Sequence, residues 1–154
     1  MADGAALPEA WAHIPALPLL NPPEFPLCFV CGPDNPHGLH LRVHRDGEDA
    51  VAVHIPPPHQ QGYPGRVHGG LAGMLVDELL VYAGVPHGLW GMTARVTYRL
   101  RAPLEPDLPM LVRGTLLSRS TGGFKARVTI TRPDGVCAVE GEGTCVRWDG
   151  RMVP

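Results

Sequence analysis

The segment Gly62–Gly84, which runs Gly-Tyr-Pro-Gly-Arg-Val-His-Gly-Gly-Leu-Ala-Gly-Met-Leu-Val-Asp-Glu-Leu-Leu-Val-Tyr-Ala-Gly, constrains this chain more than any other. A glycine-rich loop enters a helix at His68-Gly69-Gly70, and the helix that follows, to about Ala83, is apolar on every side except at Asp77-Glu78. A helix hydrophobic all round must be buried. A carboxylate in such a helix is costly unless partnered or protonated, and ionisable groups held that way are candidates for function. Either Asp77 and Glu78 lie where the helix grazes the surface, or they belong to a site.

The remaining pattern says what buries the helix. Leu39, Leu41 and Val43 alternate with polar residues, Asp46-Gly47 turns the chain, and Val51, Val53 and Ile55 alternate again, predicting a hairpin with one buried face. After the helix, strands are expected at Ala94–Leu100, Met110–Ser118, Phe124–Ile130 and Val136–Val146. Two strands, one helix and four strands joined by short turns make an antiparallel sheet with one apolar face. Such a sheet covers an all-apolar helix only by curling around it, and a second copy of the chain is the natural lid. The fold class is α+β, with a curved antiparallel sheet of about six strands around one long central helix.

Residues 1–36 hold eight of the 18 prolines and no sustained periodicity. They read as an N-terminal arm lying on a domain at 37–154, with a short turn near Pro8–Ala12. At 154 residues one core is expected. A net charge of −2 gives no pull toward nucleic acid or anionic membrane. No apolar run is expected to reach the roughly 18–20 residues that span a bilayer, and the proline-broken start does not read as a signal peptide. A soluble cytoplasmic protein is expected.

Four cysteines do not suggest a disulfide scaffold at this length. Cys28-Phe-Val-Cys31 has metal-ligand spacing with His37 and His40 nearby, but a zinc site needs four ligands in tetrahedral reach. Packing of small apolar side chains is the reading adopted, with no metal or other cofactor.

Gly69 and Gly70 place unpaired N–H groups and the positive end of the helix dipole before whatever lies in front, suiting a polarised carbonyl or oxyanion. The same glycines also suit a tight loop-to-helix turn. Asp77 lies eight residues on, about 12 Å along the axis. One chain therefore cannot hold a carbonyl at its helix start and attack it with its own Asp77, so a shared site requires two antiparallel chains. Asp77 shares a face with Gly70, Gly73, Met74 and Val81, where small residues leave a groove for an acyl chain or allow close helix packing. Glu78 is the alternative carboxylate. His68 is either a cap or a general base. No serine-nucleophile elbow is present.

These residues resemble a known family. Cys28-Phe-Val-Cys31-Gly32 with Asn35-Pro36-His37-Gly38-Leu39, then Pro64-Gly65-Arg66-Val67-His68-Gly69-Gly70 with Asp77, then Thr93-Ala94-Arg95 and Pro103, are similar to the hotdog-fold thioesterase superfamily. The branch resembled is that of the phenylacetyl-CoA thioesterase-like proteins and small acyl-CoA thioesterases, over residues 28 to about 146. The resemblance implies hydrolysis of an acyl-CoA or acyl-carrier thioester, and the buried helix calls for a homodimer, expected to pair again into a tetramer. The resemblance also implies Asp77 as nucleophile or general base, the Gly69 amide as the polarising group, and Thr93 as the hydroxyl that orients water. The family's Asn or Gln six residues before the histidine is replaced by Gly62, with Gln61 adjacent as the substitute. Arg66, Gly70 and Met74 complete the expected substrate contacts, with Arg66 at the phosphorylated end of the substrate; the strand arginines Arg95, Arg99 and Arg101 either join it there or solvate the sheet's outer face and pair with acids across a tetramer interface. The alternatives on the same fold are a non-catalytic acyl-thioester binding module and a dehydratase, whose usual histidine and acid are not found here.

Overall fold

The computed structural model describes residues 6–148. Strands β1 (Val43–Asp46) and β2 (Asp49–His54) precede the helix α1 (Gly69–Tyr82), and β3 (Gly91–Leu100), β4 (Met110–Ser120), β5 (Gly123–Thr131) and β6 (Cys137–Arg147) follow it. The six strands form one antiparallel sheet in the order β1-β2-β4-β5-β6-β3. Helix α1 touches β2 through β6, with Leu75, Val76, Leu79 and Leu80 wholly buried against them.

Glycines in the sheet let the helix lie close. A Cβ at Gly114 would come 2.4 Å from Leu79 O, one at Gly141 2.5 Å from Val76 Cγ1, and one at Gly143 2.6 Å from Leu80 Cδ1. Helix backbone at Gly114 and helix side chains at Gly141 and Gly143 fill the space that side chains at these positions would need.

The hairpin differs from the expectation in two ways. Leu39 and Leu41 are not in β1. Their N–H groups donate to Phe29 O (2.9 Å) and Val30 O (2.8 Å) of the arm, and His40 turns the chain at φ +52°. Both faces of β2 are buried as well: Ala50 and Ala52 face the main core, while Val51 packs against Trp11 and Ile14. The N-terminal arm covers the face that local alternation leaves to solvent. It also pairs with β1 through Leu20 N–H to Val43 O and Arg45 N–H to Pro18 O, both 2.8 Å.

The stretch Gly69–His87, 19 residues with mean hydropathy 1.2, is long and apolar enough by length and composition to cross a bilayer, contrary to the expectation that no run reaches that length. Half of it is buried within this fold.

His54 is buried at the end of β2 and donates Nε2–H to Gln60 Oε1 at 2.8 Å. Burial holds its imidazole below the ordinary value, against the smaller opposing effect of Gln60. Released on unfolding, it titrates near 6.5. Between that value and the depressed one in the fold, the unfolded chain binds the extra proton. His54 therefore makes stability decline as pH falls below about 6.5, until the folded-state value is passed. In thermal melts against pH, His54→Gln should flatten this part of the profile; an unchanged slope would reject the assignment.

Candidate active site

Helix α1 begins at Gly69 with His68 as its cap: His68 is extended (φ −64°, ψ 131°), and its Nδ1 accepts from Gly70 N–H at 2.9 Å. Its ring thus holds the helix start. Among the described residues the Gly69 N–H has no acceptor, and Gly69 lines an open groove of about 390 Å³ with Tyr63, Leu100, Arg101 and Pro103. The entrance loop is braced from within. Gln61 Oε1 accepts from Gly65 N–H at 2.9 Å, Gly62 N–H donates to Arg66 O at 2.9 Å, and His68 N–H donates to Gln60 O at 3.0 Å. The carbonyl end of Gln61 is therefore committed to the turn, which leaves its amide NH2 as the donor it can offer. Arg66 donates to Gly65 O (2.9 Å) and pairs with Glu105 at 3.3 Å, both side chains exposed.

Halfway along α1 the acidic pair divides. Asp77 is exposed on the single chain. Its charge reaches Cys145 on β6, whose thiol is pushed up to about 11 chiefly by burial, with Asp77 adding to the effect and Thr93 opposing it. Thr93 lies opposite Cys145 in the β3–β6 ladder, at a register shift between Thr93 and Arg95. Its Oγ1 is buried without a hydrogen-bond partner of good geometry among the described residues, although it lies close enough to Cys145 to lower that thiol. A buried hydroxyl left unpaired in a fold calls for an explanation.

Glu78 turns the other way, into its own chain, toward Cys28 and Cys31. Burial first, then the Asp77 charge, raise its carboxyl, while the two thiols lower it. These groups form the polar floor of a cavity of about 680 Å³ walled by Phe25, Val81, Tyr82, Trp90 and Trp148. Phe25 packs on Trp90 and Trp148, and Tyr82 on Trp90, at ring separations of 5.7–6.1 Å. The sequence reading missed this cavity because its walls come from four separate segments. Its one local signal was the spacing of the two cysteines.

The groove expected along the small-residue face is only partly open. A Cβ at Gly73 would come 2.4 Å from the Tyr98 hydroxyl oxygen, so the ring of Tyr98 from β3 occupies that gap. Gly70 remains exposed, and Met74 is half-buried against the core. Among the strand arginines, Arg101 binds Glu140 through two hydrogen bonds (2.7 and 3.1 Å), whereas Arg95 and Arg99 form no ion pair among the described residues.

This antiparallel sheet around one central helix superposes on solved structures. A thioesterase superfamily protein matches with a TM-score of 0.73 at 28% identity, over 77% of this chain and 62% of that one. This hotdog chain has the fold of the thioesterase superfamily. The Escherichia coli PaaI protein of the phenylacetic acid degradation operon superposes with a TM-score of 0.67 at 16% identity, over 75% of this chain and 84% of that one. A hypothetical thioesterase from Streptococcus pneumoniae, solved with coenzyme A, superposes with a TM-score of 0.66 at 18% identity, over 73% and 88%. No family model and no curated protein matches the hotdog chain by sequence.

Proposed function

We propose that this hotdog protein hydrolyses an acyl-CoA or acyl-carrier thioester, at a site assembled from two copies of the chain. The observation that carries the reading is that the exposed Asp77 carboxylate and the buried, unpartnered Thr93 hydroxyl both act on the Cys145 thiol, while the first N–H of the same helix has no acceptor among the described residues. The coenzyme A in the streptococcal structure supports a thioester ligand for this fold.

The second copy has a place to dock. Strand β3 ends the sheet, bonded on one side only to β6. Its apolar residues Met92, Val96, Tyr98 and Leu100 are 51%, 37%, 37% and 56% exposed. An unprotected apolar edge strand invites pairing with another chain, and the same strand carries Thr93 and flanks Gly69 through Leu100. A dimer closed by a two-fold axis perpendicular to β3 pairs the two edge strands antiparallel and runs the two helices in opposite directions. The helix start of one chain then faces the Asp77 of the other, bridging the roughly 12 Å that separate Gly69 and Asp77 within a chain.

In that site the thioester carbonyl accepts from the Gly69 N–H at the positive end of α1. Asp77 takes a proton from a water held by Thr93, and the water oxygen bonds to the carbonyl carbon. The tetrahedral intermediate then collapses by breaking the C–S bond, and Asp77 returns the proton to the departing thiolate. Direct attack by Asp77, through an anhydride that water then opens, uses the same groups.

Release of free thiol from a panel of acyl-CoAs tests the proposal. Binding without release would favour a non-catalytic acyl-thioester module, the reading to which Gly62, lacking a side chain, lends itself. Arg66 is the candidate for the phosphorylated end of the substrate. Its exposed pair with Glu105 contributes little, which leaves its guanidinium available to phosphate. Arg66→Ala should raise KM for acyl-CoA roughly tenfold with little change for an acyl-pantetheine lacking the nucleotide; equal effects on both would reject the role.

A further inference from the structure

The floor of the aromatic cavity carries an arrangement that the thioesterase reading does not use. Cys28 Sγ, Cys31 Sγ and a Glu78 carboxylate oxygen all lie within 4.8 Å of one another, with Cys28 Sγ 3.7 Å from Glu78 Oε1. Around a tetrahedral zinc ion, with Zn–S about 2.3 Å and Zn–O about 2.0–2.2 Å, neighbouring ligand atoms stand about 3.5–3.8 Å apart. The Cys28–Glu78 pair already has that spacing, and the other separations, all within 4.8 Å, need at most about 1 Å of closure to reach it.

The loop that supplies the cysteines is shaped to present sulfur. Cys31 N–H donates to Cys28 Sγ at 3.4 Å, and the Tyr82 hydroxyl donates to Cys31 Sγ at 3.4 Å. Each sulfur therefore already has a donor aimed at it, the outer-shell pattern that orients and holds a metal-bound thiolate. The turn closes through Gly32 N–H to Cys28 O at 2.9 Å, and only glycine fits there: a Cβ at Gly32 would come 2.5 Å from Cys28 N and Pro26 O. Asn35 Nδ2–H to Leu27 O (3.0 Å) and Asp34 N–H to Pro26 O (2.9 Å) fix the loop against itself. His40, a ligand candidate by sequence, is engaged elsewhere, with Nε2 2.6 Å from Asn35 O. The third corner comes instead from the central helix, and Glu78 has no cationic side chain paired with it among the described residues.

We infer that Cys28, Cys31 and Glu78 bind a zinc-class divalent cation whose fourth position opens into the aromatic cavity. Thiolate ligands select zinc over hard cations such as magnesium and calcium. Three protein ligands with an open position are the arrangement of a site that keeps a water or takes a ligand atom, in contrast to a closed structural one. Binding releases the two thiol protons to solvent, and the cation ties the N-terminal arm to α1. The inference stands independently of the thioester reading, because it concerns a different face of the helix.

The test uses the full chain, reduced and stripped of metal, titrated with cobalt and then with zinc under competition by a chromophoric chelator. One equivalent of cobalt should produce thiolate-to-metal charge-transfer absorption and the visible bands of a tetrahedral ion, displaced by one equivalent of zinc, and zinc should raise the melting temperature. Cys28→Ser and Cys31→Ser should each weaken zinc binding by more than the roughly 10–100-fold that loss of an outer-shell partner costs, and Tyr82→Phe by an amount within that range. Cys137→Ser, at an exposed cysteine outside the cluster, should change nothing. The unaltered chain decides the matter even if a cysteine variant fails to fold. Absence of the charge-transfer band after full reduction, or a band that survives in both folded cysteine variants, would overturn the inference.

Discussion

Asp77→Asn is expected to lower kcat for thioester hydrolysis by at least ~100-fold while leaving the fold and the melting temperature nearly unchanged. Asp77 is exposed on the single chain, and its raising effects on Glu78 and Cys145 are secondary to burial in both cases. Asparagine keeps its shape and removes only the charge and the basic oxygen. Stopped turnover with intact binding of a non-hydrolysable acyl-CoA analogue would place the loss in the chemical step. The control is Glu78→Gln: its side chain faces Cys28 and Cys31 inside its own chain, away from the proposed reaction. Near-normal kcat in Asp77→Asn with loss in Glu78→Gln would transfer the catalytic role to the second carboxylate.

The second large effect concerns a single N–H group. Gly69→Pro deletes the proposed carbonyl donor at the first helical position, where proline is well tolerated. His68 already has the extended backbone that a residue before proline prefers. The one close neighbour of a side chain there is the flexible end of Leu100, 2.8 Å from an added Cβ. Loss of one such donor typically costs about 10²–10³-fold in kcat. The same variant tests the shared site. In an equimolar mixture of Gly69→Pro and Asp77→Asn chains, a mixed dimer joins the intact Gly69 of one chain to the intact Asp77 of the other in one of its two sites. Random exchange of subunits should then restore roughly a quarter of wild-type activity. No recovery, with subunit exchange shown independently, would mean that each site lies within one chain and would reject the dimeric site.

The candidate site was legible where chemistry follows from local order. His68-Gly69-Gly70 announced a helix start, where the cap is one of the two readings the sequence offered; it takes up the Gly70 N–H, so of the two donors expected there only that of Gly69 is without an acceptor among the described residues. Asp77 and Glu78 stood out because nothing else polar interrupts the helix. Which way each carboxylate points was not legible: they are about 100° apart around the axis, and only the packed sheet and arm decide which direction meets solvent and which meets two thiols. The Cys28–Cys31 spacing was visible, but its third partner is 50 residues away in sequence, beyond the reach of any spacing rule.

The sequence by itself determined the parts: one helix between two strands and four, the alternation that marks each strand, and the turns that join them. These follow from short-range periodicity and from glycine and proline at fixed places. Only the tertiary structure decided that β3 leaves its sequence neighbours to pair with β6 at the far edge, that the arm buries the outer face of β2, and that Tyr98 fills the gap at Gly73. Those choices depend on which surfaces cover one another across the whole chain. Alternation specifies that a face is apolar; what lies on it is settled by the competition of all such faces for the same core.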